Sequence, residues 1–105
     1  MLNPTITASV TCPSKKALKY AYEALLSFDK TQNNYIKENI YTVYSEFKVG
    51  GLVSCLVNIR PLSDSECRMF ITVFDLVVAS YSSKNALLVY PEFLKRFSEL
   101  LEQEC

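Results

Sequence analysis

The chain has only two glycines in 105 residues, and they stand together at Gly50-Gly51. Before them runs Ile40-Tyr41-Thr42-Val43-Tyr44-Ser45-Glu46-Phe47-Lys48-Val49; after them runs Val53-Ser54-Cys55-Leu56-Val57-Asn58-Ile59-Arg60. Both runs are rich in β-branched and aromatic residues, which suit a pleated, half-buried strand. The glycine pair supplies the positive φ that a tight hairpin turn needs. A two-residue loop would pair Val49 with Leu52 and set Val53, Cys55, Val57 and Ile59 against Lys48, Glu46, Tyr44 and Thr42. Adding Leu52 to the loop pairs Val49 with Val53, Phe47 with Cys55 and Val43 with Ile59, apolar against apolar. A slip of one residue moves every side chain to the other face. A three-residue loop with a left-handed glycine and a bulge is therefore expected. A helical stripe through Ile36, Ile40, Val43, Tyr44 and Phe47 is the rival reading of the first run.

The remaining segments are read around this hairpin. Thr5 to Cys12 alternates strictly, with Ile6, Ala8, Val10 and Cys12 on one face and Thr5, Thr7, Ser9 and Thr11 on the other, which predicts a strand. Pro13-Ser14 opens a helix, since proline fits the start of a helix and serine caps free amides. Ala17, Leu18, Ala21, Tyr22, Leu25 and Leu26 give that helix its apolar stripe, ending near Phe28. Asp29 to Asn39 is polar and reads as a loop. Pro61 closes the return strand. Ser63-Asp64-Ser65-Glu66 has capping-box spacing and predicts a second helix burying Cys67, Phe70, Ile71, Phe74, Val77, Val78 and Tyr81. Ser82-Ser83-Lys84-Asn85 is a break or fray. Pro91 would cost a helix interior roughly 3 kcal/mol, so a separate amphipathic helix is expected from there, through Phe93, Leu94, Phe97, Leu100 and Leu101.

The expected fold class is α+β: a three-stranded antiparallel sheet in the order β-α-β-β-α, both helices on one face, plus an extra C-terminal helix. The first strand would join the edge of the hairpin. Residues 1–90 would form the domain and 91–105 an extension. Half the residues are apolar, so the chain is globular. A chain this short buries a modest core, and open sheet edges invite a second chain. Dimerisation through the sheet or its helices is the expectation.

No apolar run reaches the roughly 18 residues of a membrane span; the longest candidate, Met69 to Ala79, is broken by Asp75. Met1 to Cys12 lacks a basic region followed by an apolar block, so no signal peptide is expected and a cytoplasmic location is. The four cysteines, Cys12, Cys55, Cys67 and Cys105, lack zinc-site spacing, and the chain has no histidine. Free thiols follow, with Cys12 and Cys55 facing inward. Net charge is zero. Basic residues lead up to Leu62 and acids lead beyond it, so nucleic acid would meet only part of a composite surface.

Catalytic patterns are sparse. Without histidine, a general base would have to be a perturbed carboxylate, lysine or cysteine. Gly50-Gly51 lacks the Lys-Ser/Thr of a phosphate loop and the flanking pattern of a KH clamp. Seven tyrosines and six phenylalanines could stack on bases, but core packing accounts for most of them. Arg60 and Arg68 flank Pro61 to Cys67 and suit either salt bridging or phosphate contact.

Taken in order, these pieces resemble the small dimerisation subunit family of the KEOPS complex, the polarised-growth and chromatin-associated controller proteins related to the LAGE antigens. The resemblance covers about Thr5 to Leu88. It rests on Cys12-Pro13-Ser14, on the first helix with Ala17, Tyr20, Ala21, Tyr22, Leu25 and Leu26, and on Leu56-Val57-Asn58-Ile59. Its most specific part is Ser63-Asp64-Ser65-Glu66-Cys67-Arg68 followed by Ile71, Phe74 and Val78. Cys67 stands where the family carries leucine, and the last helix has no family counterpart, which points to a diverged, archaeal-type paralogue.

The resemblance implies a non-catalytic scaffold subunit with no cofactor and no metal. It implies a homodimer, or a heterodimer with a related small subunit, docked on the threonylcarbamoyl-transferase subunit and helping to place tRNA for threonylcarbamoylation of adenosine. Leu18, Ala21, Tyr22, Leu25, Ile71, Phe74 and Val78 would form the packing and partner interface. Lys15, Arg60 and Arg68 would be candidates for tRNA contact. Two other classes compete: a stand-alone KH-like RNA-binding or other protein-interaction module, and a small redox protein using Cys67 near a helix N-terminus.

Overall fold

The computed structural model of the chain describes residues 5–28, 35–38 and 41–103. Its strands are β1 (Thr5–Val10), β2 (Tyr35–Glu38), β3 (Thr42–Lys48), β4 (Leu52–Pro61) and β5 (Cys67–Asp75). They form one antiparallel sheet in the spatial order β1-β5-β4-β3-β2. Helices α1 (Ser14–Leu26) and α2 (Lys84–Gln103) pack on each other and on one face of that sheet. The fold is α+β, but the three-stranded sheet expected from the sequence is corrected. Five strands are present among the described residues, and β1 joins β5 instead of the hairpin.

The hairpin has the expected loop length with its residues moved by one. Lys48 pairs with Leu52, Phe47 with Val53 and Val43 with Val57, so Val49, Gly50 and Gly51 make the three-residue loop. Gly50 takes φ +96°, a conformation that favours glycine; a Cβ there would also lie 2.9 Å from Asn85 Oδ1, the end of a side chain that would have to shift. The actual pairing differs from the expected one by two residues, an even number. Val43 and Phe47 therefore still share the buried face with Val53, Cys55 and Val57.

The main correction lies at 67–81, where a long helix was expected. Cys67–Asp75 is instead strand β5, held between β1 and β4, with Cys67, Met69, Ile71, Val73 and Asp75 buried and Arg68, Phe70, Thr72 and Phe74 on the opposite face. The capping-box residues close a hairpin. The Leu62 and Ser63 amides donate to the Glu66 carbonyl at 2.9 and 3.2 Å, and the Ser65 amide donates to the Ser63 hydroxyl. Serine serves a turn as readily as a helix start. The polar stretch expected as a loop also holds a strand at Tyr35–Glu38, paired with β3; residues 29–34 and 39 of that loop, and Ile40 of the expected strand, lie outside the described residues.

α1 buries Ala17, Tyr20, Ala21, Ala24 and Leu25, with Leu18 and Tyr22 flanking the core and Leu26 exposed. Pro13 is its N-cap and no side chain caps it, so Ser14 does not play the expected role. α2 runs unbroken through Pro91, and the expected boundary at 90–91 is not a break in the helix. Val89, Tyr90, Phe93 and Phe97 are all buried around the proline. At roughly 1.5–3 kcal/mol per side chain, their burial outweighs a proline penalty of about 3 kcal/mol.

A hydrogen bond ties α2 to the sheet: the Val73 amide donates to the Tyr90 hydroxyl at 2.9 Å. Tyr90→Phe keeps the ring and orphans a buried amide, which costs about 1–3 kcal/mol. Urea unfolding of this variant is expected to show a loss in that range with an unchanged m-value.

Candidate functional site

The face of the sheet away from the helices has no second layer among the described residues. The register places its side chains in rows. Thr42, Asn58, Phe70 and Thr7 lie across one row, and Arg60, Arg68 and Ser9 across the next. A concavity of about 700 Å³ is lined by Thr5, Tyr41, Asn58, Ile59, Arg60, Pro61, Phe70 and Thr72. The Arg60 guanidinium lies 5.7 Å from the centre of the Phe70 ring. Asn58 Oδ1 accepts from the Thr42 hydroxyl at 2.9 Å, and the Thr5 and Thr72 hydroxyls share a hydrogen bond of 3.1 Å.

A second feature lies at the end of β5. The Asp75 backbone pairs with Ser80 and closes a turn over residues 76–79, with Ala79 at φ +52°. The Asp75 carboxylate is buried and accepts three hydrogen bonds: the Ser83 hydroxyl at 2.6 Å and the Val77 and Val78 amides at 2.9 and 3.2 Å. The Ser83 hydroxyl and these amides hold its carboxyl below the usual carboxylate range, although burial pushes the other way. Ser83 in turn caps α2, accepting the Ala86 amide at 3.1 Å. The turn so fixed displays Leu76, Val77 and Val78 at 38, 68 and 61% exposure. Leu87 and Leu88, in the first turns of α2, are also exposed.

The residues expected to form one partner interface are divided by the fold. Ala21, Leu25 and Ile71 are fully buried in the core, and Leu18 and Tyr22 flank it. Phe74 lies on the open face with its ring 4.7 Å from Tyr81, and Val78 is in the exposed turn. Of the expected tRNA contacts, Arg60 and Arg68 stand directly opposite each other across β4 and β5. Lys15 is exposed in the first turn of α1. Asp75, Val77, Leu87, Leu88, Asn58 and Tyr41 were not singled out as site residues from the sequence. The one local signal is Asp75 itself, since an aspartate can close a turn by accepting the amide two residues on.

The thiols sit in apolar surroundings. Burial pushes Cys55 up to about 12. Burial, with Cys12 beside it, pushes Cys67 up to about 11. Cys67 opens a strand and not a helix, so the helix N-terminus invoked for a reactive thiolate is not there. Among the described residues no group of three His, Cys, Asp or Glu side chains is placed to hold a metal, and no helix is long and apolar enough to cross a membrane. Compared with protein-family models, with curated proteins and with solved structures, the chain matches none.

Proposed function

We propose that this chain is a non-catalytic protein-interaction module, a scaffold subunit that docks through the turn at Leu76-Val77-Val78. The observation that carries this reading is the cost of that turn. A buried carboxylate, three hydrogen bonds and a left-handed alanine are used to hold apolar side chains out in water. Burying a charge disfavours folding unless it is well paired, and contiguous exposed apolar surface marks an interaction site. The scaffold role implied by the KEOPS resemblance is a specific form of this reading, with the transferase subunit as partner and tRNA brought in by the assembled complex. The docking surface is then this turn, in place of the expected helical stripe.

The test uses size-exclusion chromatography with light scattering on the chain alone and mixed with a KEOPS transferase subunit. Val77→Asp with Val78→Asp is the decisive variant, because both residues are exposed and such changes usually move stability by less than about 0.5 kcal/mol. The expected result is self-association or a mixed complex for the native chain, weakened at least about tenfold in the variant while its Tm holds. Association undiminished in the variant would remove the turn as the docking surface. A native chain that stays monomeric in both samples would overturn the scaffold reading.

A further inference from the structure

We propose that the concavity on the open sheet face binds a small phosphate-bearing molecule with a flat ring, a mononucleotide being the simplest. Arg60 and Arg68 would hold the phosphate and Phe70 would lie under the ring. The starting point is a pairing that the sheet alone does not favour. Arg60 and Arg68 are direct cross-strand partners, which brings their Cβ atoms to about 4.5–5.5 Å, and like charges so placed are destabilising. Neither arginine has a carboxylate partner among the described residues, and the nearest acids in the chain, Asp64 and Glu66, are exposed in the adjoining turn. No carboxylate offsets the repulsion, and the Phe70 ring under Arg60 offsets it only in part; a local rule broken without full compensation is a mark of a functional site.

The chemistry of the surroundings selects the ligand. Arg60 lines the concavity, and Arg68 stands beside it as its cross-strand partner, outside the lining; two adjacent guanidinium groups match a phosphate, which accepts several charge-assisted hydrogen bonds at once. Arg60 now lies over the Phe70 ring at 5.7 Å. A phosphate between the arginines draws that guanidinium toward Arg68 and frees the ring for stacking. The Thr5 and Thr72 hydroxyls and the Asn58 amide line the same concavity and offer hydrogen bonds to ring edges or a sugar. Its volume, about 700 Å³, lies in the range of small-molecule sites. This surface is separate from the apolar turn, so the two proposals stand or fall independently.

The experiment is an NMR titration of the full chain with AMP, inorganic phosphate and adenosine. AMP is expected to bind at least about tenfold more tightly than either part, with shifts at Arg60, Arg68, Phe70 and Thr72. Arg60→Ala and Arg68→Ala should each weaken AMP about tenfold or more. Phe70→Ala should reduce AMP to the level of phosphate and leave phosphate unchanged. Arg68→Glu is the control for folding: it creates a cross-strand ion pair, should raise Tm by about 2–4 °C, and should abolish AMP binding. A short single-stranded oligonucleotide identifies the source: tighter binding through the same residues means a nucleotide unit of a strand, and preference for AMP means a free nucleotide. No AMP binding at about 10 mM, or equal binding by the native chain and by Arg68→Glu, would overturn the proposal.

Discussion

Ile71→Glu is expected to leave the chain unfolded, whereas Phe74→Glu is expected to leave it folded. On β5 these two side chains point to opposite faces. Ile71 is fully buried between strands β1 and β4 under the helices. A carboxylate there has no partner, and burying it costs several kcal/mol even after relaxation. That is comparable with the whole stability of a small domain, about 5–15 kcal/mol. Phe74 is half-buried on the open face and mainly packs against Tyr81. Losing that aromatic pair costs about 0.5–1.5 kcal/mol. Near-ultraviolet circular dichroism and urea unfolding of the two variants check this. On a helix, Ile71 and Phe74 would share one buried stripe and both variants would fail alike. Equal damage would therefore speak against the strand.

That contrast shows where the sequence was readable and where it was not. Thr5 to Val10 could be read because its alternation fits no helix, and the hairpin because glycines occur at one place only. The stretch from Cys67 satisfies both periods. Cys67, Ile71, Phe74 and Val78 fall at helical spacing, while Cys67, Met69, Ile71 and Val73 alternate. Asp75 hid the alternation, because a buried carboxylate breaks the pattern that burial normally follows. Its cost is met by Ser83 and two amides, contacts that depend on the finished turn. Reading β5 as a helix then left β1 with no neighbour but the hairpin edge. The first helix was placed correctly with its buried side turned: Tyr20 and Ala24 are in the core, where Tyr20 meets Phe97 edge-on at 6.2 Å, while Leu26 is exposed.

The candidate surfaces were partly legible for the same reason. Arg60 and Arg68 stood out individually as residues able to contact phosphate. Their adjacency is a matter of register, since eight positions along the chain become zero across a hairpin once Pro61 pairs with Cys67. The apolar turn is legible only as the end of an expected helix, on which Val77 reads as core and Val78 as core or partner interface. What exposes them is the reversal of the chain at Asp75 and Ser80, a tertiary event with a weak local signal.

Raising the pH from 9 to 12 is expected to strip most of the stability from this fold, with Cys55 contributing the largest part. In the unfolded chain its thiol ionises near 9.0, and in the folded chain only near about 12. Between those values the unfolded state holds fewer protons than the folded one, so stability falls as pH rises and is fully present below 9. Each unit of separation is worth about 1.4 kcal/mol, so Cys55 alone removes about 4 kcal/mol by pH 12. Cys67 adds a loss of the same sign between 9.0 and about 11. Tyr90, raised from 10.0 chiefly by burial, adds another above that value. Urea unfolding at pH 7, 9 and 11 on the native chain and on Cys55→Ala separates these terms, because both proteins keep Cys67 and Tyr90. The native chain should lose stability faster, with a gap between the two slopes of about 1.4 kcal/mol per pH unit. Parallel decline would mean that the Cys55 thiol is not held neutral by burial, and that the sheet beneath the two helices is wetter than its packing indicates.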